Sequence, residues 1–199
     1  PYTIAGLSSW VSALMAKLGH HRFDVLGISW GGGLAQQLAV QSRRRVRRVV
    51  LVATGTGWMM VPGSLEVLRI MSTPRRHRDP AYADKVAGTI YGGSMRTSPE
   101  RGASLLHAAT RSGPKRGYYY QLLAMTGWTS VPFLGLIRQP TLVLGGDDDP
   151  IIPSANPRMQ ARLIPHARLH VYEGGHLALL TEADQLAPVI DSFLDETDE

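Results

Sequence analysis

Apolar positions recur along this chain in two rhythms, and the switches between them mark its elements. Leu7, Trp10, Val11, Leu14, Met15 and Leu18 fall at helical spacing and Gly19 follows as a stop, which predicts an amphipathic helix. Phe23 to Ile28 is short, largely apolar and runs into glycines, so it reads as a buried parallel strand. Leu34, Ala35, Leu38 and Ala39 resume helical spacing, that helix yields near Ser42, and Val49 to Ala53 predicts a second buried strand closed by Thr54-Gly55-Thr56-Gly57.

From Trp58 to about Ile137 the alternation stops and the composition moves toward Met, Tyr, Arg, Gly and Pro. Helical stretches are expected there around Ser64 to Met71 and Gly102 to Thr110. The rhythm returns with a strand at Pro140 to Leu144, a helix from Asn156 to Leu163 and a strand at Ala167 to Tyr172. A last helix carries Leu186, Val189, Ile190, Phe193 and Leu194 on one face. Thr181 and Asp184 read as its capping pair, and Pro188 fits only in its first turn. Strands alternating with helices imply an α/β fold, a parallel sheet with helices on its faces. The expected organisation is a core made of residues 1–57 and 138–199, interrupted by an insertion over residues 58–137.

A chain of 199 residues with 44% hydrophobic composition can bury one substantial core and offers no clear second domain. The absence of cysteine removes disulfides, thiolate nucleophiles and thiolate metal sites. No apolar run approaches the roughly 18 residues of a spanning helix, and no basic-then-apolar signal pattern opens the chain, which starts at Pro1. The formal charge of +5 is concentrated in Arg43-Arg44-Arg45-Val46-Arg47-Arg48 and Arg75-Arg76-His77-Arg78. These runs read as solvated loops, the first favoured by the C-terminal end of a helix dipole. No nucleic-acid-binding signature accompanies them, so a nucleic-acid partner is not expected.

In a parallel sheet, chemistry gathers beyond the carboxyl ends of the strands. Three places in this sequence meet that condition: Ser29, the Asp147-Asp148-Asp149 run and His176. Gly27-Ile28-Ser29-Trp30-Gly31 is a G-x-S-x-G stretch between a strand and a helix, where small residues two before and two after the serine let strand and helix approach closely. Serine is a poor nucleophile unless a base takes its proton. Of seven histidines, His176 lies just beyond the last strand, where a loop carries it over the Ser29 end of the sheet. His20, His21, His77, His107, His166 and His170 are less well placed.

The imidazole in turn needs an acid to fix its tautomer. Asp149, three residues after Gly146 and just before Pro-Ile-Ile-Pro, is the first choice and Asp148 the fallback, with Asp147 expected to cap the turn. A cation site in the aspartate run lacks Glu or Asn ligands at calcium-loop spacing, and no metal is expected. The backbone N–H of Trp30, at the start of the following helix, suits an oxyanion donor, while its indole reads as packing.

These residues resemble the α/β-hydrolase superfamily along nearly the whole chain, in the order Ser29, Asp149, His176. The resemblance narrows to intracellular poly(3-hydroxyalkanoate) depolymerases of the medium-chain-length type. The stretches that carry it are Ile28-Ser29-Trp30-Gly31-Gly32 with Ala35-Gln36-Gln37, Met60-Val61-Pro62-Gly63, Thr89-Ile90-Tyr91-Gly92-Gly93, Arg111-Ser112-Gly113 with Gly117-Tyr118-Tyr119, and Gly127-Trp128-Thr129-Ser130. The resemblance implies a lid formed by the insertion, hydrolysis of ester bonds in a stored polyester by an acyl-enzyme route, no cofactor, and a cytoplasmic location with granule association. Met59, Met60, Tyr118 and Trp128 are the expected substrate contacts, against the plainer reading that such residues pack the insertion onto the core. Relatives carry further chain before the helix that opens this sequence, including the loop that donates the second oxyanion N–H. The expectation is therefore a partial chain with an open sheet edge, inactive or aggregating when expressed alone. A general carboxylesterase acting on small esters, a perhydrolase, a carbon–carbon bond hydrolase and a non-catalytic granule-binding relative are the alternatives.

Overall fold

A computed structural model describes residues 2–99 and 115–197. The expected helix at Gly102 to Thr110 and the stretch Arg111-Ser112-Gly113 lie outside the described residues. Four parallel strands, β1 (Phe23–Ile28), β2 (Val46–Val52), β3 (Thr141–Gly146) and β4 (Ala167–Tyr172), form one sheet in the order β1-β2-β3-β4. Neighbouring strands in space are neighbours in sequence, so each connection passes over a face of the sheet.

Helix α1 (Ile4–Lys17) precedes β1, and α2 (Trp30–Gln41) joins β1 to β2. The long β2–β3 connection holds α3 (Leu65–Met71), a 3₁₀ turn at Arg75–His77, α4 (Pro80–Tyr91), a 3₁₀ turn at Gly93–Arg96, α5 (Lys115–Met125) and a 3₁₀ segment at Val131–Leu136. Then come α6 (Ala155–Leu163) before β4, and α7 (Ala178–Thr181) and α8 (Ala183–Leu194) after it.

The period-2 alternation of β2 and β3 builds two cores, one on each face. Val49, Leu51 and Val143 pack with Leu38 and Ala39 of α2 and with Leu134, Ile137 and Ile164. Val50, Val52, Leu142 and Leu144 pack with Tyr172 and with Leu186, Ile190 and Phe193 of α8. Every residue of β3 is buried, which explains why its sequence is continuously apolar instead of alternating.

Several expectations are corrected here. In α1 the apolar stripe divides. Ile4 and Ser8 are buried and Val11 packs against the core, while Trp10, Leu14 and Leu18 are exposed. Its end is as the sequence indicates: Gly19 takes φ 82, and the His20 and Gly19 N–H groups donate to the Met15 and Ala16 carbonyls. Pro188 is not in the first turn of the last helix but inside α8. Both Pro188 and Asp184, whose carbonyl loses its usual helical donor, are exposed, and the buried Leu186–Ile190–Phe193 face holds the helix on the sheet. Thr181 does not cap α8. Its hydroxyl donates to the Leu177 carbonyl of the preceding turn, and Glu182 occupies the cap position without a side-chain bond.

The arginine runs are not solvated loops. Strand β2 begins at Val46, inside the first run, because its ladder with β1 already pairs Val46 with Phe23. Arg47 makes a bidentate pair with Asp24 at 3.0 and 2.5 Å and donates to the Leu194 carbonyl, and Arg48, only 2% exposed, donates to the Glu196 carbonyl and lies over the Phe193 ring. Arg45 binds the carbonyls of Ser12, His20 and His21. In the second run, Arg75 pairs with Asp79, and Arg76 is buried against the Thr73 carbonyl and the Tyr118 hydroxyl. Only Arg43 and Arg44 stand exposed in the turn of the first run.

Among the described residues, no helix is long and apolar enough to cross a membrane.

Candidate active site

The chain turns sharply at the end of β1. Ser29 has φ 51 and ψ −120, a left-handed conformation costly for a residue with a Cβ, and its N–H donates to the Val52 carbonyl at 2.9 Å. The Thr54 hydroxyl donates to the Ser29 carbonyl at 2.6 Å, so the tip of β2 holds the turn from the side.

The steric reason for the glycines differs in part from the sequence expectation. A Cβ on Gly27 would lie 2.5 Å from the Gly31 carbonyl oxygen, and one on Gly32 would lie 2.3 Å from the Thr54 hydroxyl. A Cβ on Gly31 would meet nothing within 4 Å. The close approach therefore needs Gly27 and Gly32, because Gly32 faces the end of β2 while Gly31 faces open space.

Ser29, His176 and Asp149 meet at the carboxyl ends of β1, β4 and β3. His176 Nε2 lies 2.9 Å from Ser29 Oγ, and His176 Nδ1 lies 2.8 Å from Asp149 Oδ2. With the ring proton on Nδ1 and donated to Asp149, Nε2 is free to accept the serine hydroxyl. Both His176 and Asp149 are buried. Asp149 Oδ1 accepts the N–H groups of Ile151 and Ile152, each at 2.9 Å, which fixes the carboxylate and leaves Oδ2 for the imidazole. Proline at positions 150 and 153 brackets this turn, so the local sequence shapes the loop that aims the acid.

The two other aspartates take different partners. Asp147 Oδ1 accepts the Gly174 N–H at 2.9 Å, joining the acid loop to the histidine loop instead of capping its own turn. Asp148 bonds residues of the β2–β3 connection instead of His176. Its Oδ2 accepts from the Gly93 N–H and Arg96 Nε, and its Oδ1 from Arg96 Nη2, all at 2.7 Å. The Arg96 hydrogen bonds hold the Asp148 carboxyl below the usual carboxylate range.

One phenol lies against the imidazole and a second lies near Asp149. The Tyr91 ring lies nearly parallel to it at 6.5 Å, and burial pushes its hydroxyl above the ordinary phenol range. Burial likewise pushes Tyr172 up, with the nearby Asp149 and Glu182 charges adding to the effect. Both phenols therefore stay neutral.

Trp30 supplies the first N–H of α2, a position that no turn of the helix satisfies. Its indole donates to the Gln121 carbonyl of α5 at 2.9 Å, tying the β2–β3 connection down beside the serine. Of the residues expected to contact substrate, Met59 is exposed and Met60 packs over Gly55. The Tyr118 hydroxyl bonds the Met71 carbonyl, and Trp128 Nε1 donates to Gln37 Oε1 while its ring lies against Gly33. Sequence reasoning overlooked Thr54 and Arg96. Neither stands in a motif, and each acts on a loop far away in sequence, so only the Gly92-Gly93 pair hinted at a close approach.

A parallel sheet that carries a strained serine at one strand end, with an acid and a histidine after two later strands, defines an α/β-hydrolase architecture. The chain belongs to the alpha/beta hydrolase fold family, whose model matches residues 1–183. It is 47% identical over 197 residues, 98% of this chain and 69% of the relative, to a poly(3-hydroxyalkanoate) depolymerase of Ectopseudomonas oleovorans. It is 29% identical, over 95% of this chain and 69% of the relative, to a 2-hydroxymuconate semialdehyde hydrolase of Pseudomonas putida. Among solved structures it superposes on the enol-lactonase of Burkholderia xenovorans with a TM-score of 0.81 and 27% identity, covering 98% of this chain and 74% of that one.

Proposed function

We propose that this chain carries the catalytic residues of a serine ester hydrolase that cleaves poly(3-hydroxyalkanoate) to 3-hydroxy acids or oligomers. The chemistry rests on one observation, the relay from Ser29 Oγ through His176 to Asp149 at 2.9 and 2.8 Å. The substrate class rests on the 47% identity to a depolymerase of that polyester.

Ser29 Oγ attacks the ester carbonyl while His176 Nε2 takes its proton. The carbonyl oxygen becomes an oxyanion, for which the Trp30 N–H at the head of α2 is a donor. The tetrahedral adduct expels the alkoxide, which leaves as the alcohol with the proton from His176, and an acyl-serine remains. Water, deprotonated by His176, attacks the acyl carbon and releases the acid and free Ser29. Asp149 keeps the Nδ1 proton in place and stabilises the imidazolium at each proton transfer.

Residues 58–137 serve as a lid over residues 1–57 and 138–199. The bond from the Trp30 indole to Gln121 and the stacking of Tyr91 on His176 support that reading. Met59 and Met60 are the adaptable apolar side chains nearest in sequence to the tip of β2, and with Tyr118 and Trp128 they are the proposed substrate wall. The protein acts in the cytoplasm on storage granules.

The test is release of 3-hydroxy acids from amorphous medium-chain-length polyester granules by the protein and by its Ser29→Ala variant. Release that disappears in the variant supports both nucleophile and polymer. No release, with aryl esters still cleaved through Ser29, hands the function to a small-ester reading, which the 27% identity to a lactonase favours.

A further inference from the structure

The β2–β3 connection also touches the loops that carry Asp149 and His176. Where α4 ends, residues Tyr91 to Arg96 are wedged between the loop that carries Asp149 and the loop that carries His176. The Tyr91 carbonyl accepts the His176 N–H at 2.7 Å, which fixes the backbone of the base. A Cβ on Gly92 would lie 1.9 Å from the Asp148 carbonyl oxygen, and one on Gly93 would lie 2.3 Å from the Gly175 nitrogen. The backbones of three loops are thus in contact, and a shift of one moves the others.

Asp148 is the residue that closes this contact. It precedes Asp149, donates its own N–H to the Gly174 carbonyl at 3.1 Å, and accepts the fork of Arg96 together with the Gly93 N–H. A bidentate guanidinium–carboxylate pair fixes direction as well as distance. The pair is about half exposed, so its worth to overall stability is small, and its geometric effect is on the two loops it joins.

We propose that Arg96 and Asp148 are positioning residues that latch the lid segment to the acid and histidine loops and so hold Asp149 on His176. The inference rests on the serine-hydrolase reading above. Groups around the imidazole are Ser29, Asp149, Tyr91, Tyr172, the Asp147–Asp148 carboxylates with Arg96, and Glu182 beside Gly174.

The sign of one pH shift separates positioning from simple charge. Removing the Arg96 cation acts through space to favour a protonated imidazole, which raises the acidic limb of the kcat/KM profile. Loosening Asp149 from Nδ1 weakens the imidazolium, which lowers it.

The experiment is steady-state hydrolysis of a p-nitrophenyl acyl ester across pH by wild type, Arg96→Ala and Arg96→Lys, each normalised to folded protein. Arg96→Ala is expected to lower kcat by roughly ten- to a hundredfold with little change in KM, and to move the acidic limb downward. Arg96→Lys, which keeps the charge without the fork, is expected to fall between, and it remains readable should Arg96→Ala not fold. Variants with a lower Tm but wild-type kcat and acidic limb, or an acidic limb that moves upward, would overturn the latch. Wild-type turnover that survives Ser29→Ala would instead overturn the hydrolase reading itself.

Discussion

His176 Nε2 stands 2.9 Å from Ser29 Oγ although 147 residues separate the two in the chain. The sheet brings them together: parallel strands place every carboxyl end on one side, and both residues follow such ends. Asp149, which lies 2.8 Å from His176 Nδ1, comes from the same side of the sheet, on the loop after β3.

Removing the proposed nucleophile tests the relay directly. Ser29→Ala is expected to lower kcat on an aryl ester by at least about 10³-fold with Tm unchanged, and Asp149→Asn to lower it by about 10⁴-fold through the wrong imidazole tautomer. Asp147→Asn, whose carboxylate meets Gly174 and not the histidine, is expected to cost far less. Equal losses at positions 147 and 149 would contradict the assignment of the acid.

The two glycines after the serine turn are predicted to behave differently. Gly31→Ala, whose new methyl group meets open space, should fold with a Tm at or slightly above wild type, since alanine favours the helix. Gly32→Ala would press a methyl group into Thr54 and should destabilise by about 1–3 kcal/mol or prevent folding. Urea denaturation of the two variants decides between this and the spacing inferred from the motif alone.

Within the first arginine run the side chains are not equivalent. Arg48→Ala removes a buried guanidinium that stacks on Phe193 and holds the Glu196 carbonyl, and should cost about 2–4 kcal/mol. Arg43→Ala, on an exposed residue of the turn, should stay within about 0.5 kcal/mol of wild type. Similar midpoints for the two variants would show the run to be a solvated face after all.

The Arg96–Asp148 pair carries a pH signature of known sign. The Asp148 pKa is depressed in the folded state, so its stabilising contribution is complete above the unfolded carboxyl value and is lost as pH falls through the folded one. Asp148→Asn should therefore be less stable than wild type at neutral pH, by at most about 1 kcal/mol for so exposed a pair. The gap should narrow below about pH 4, where the unfolded carboxyl begins to protonate. A gap that stays constant into strong acid would assign the effect to shape and not to charge.

Strand–helix alternation alone determined the architecture, because a continuously apolar run such as Leu142 to Leu144 is stable only with helices on both faces. The same alternation singled out Ser29, the aspartate run and His176, since topology fixes which loops share an edge of the sheet. What the sequence left open depends on direction and on contacts remote in the chain. Three adjacent aspartates look alike in a string, yet the turn at Pro150 sends Asp149 to His176, while Asp147 reaches Gly174 and Asp148 reaches Arg96. The helical spacing of α1 showed an apolar stripe without showing that its neighbour covers only the Ile4–Val11 side. Composition likewise counted arginines as charge, and only the packed structure turned Arg48 into a buried tie for the C-terminal tail, because local periodicity records where a side chain lies on its element but not what the fold brings against it.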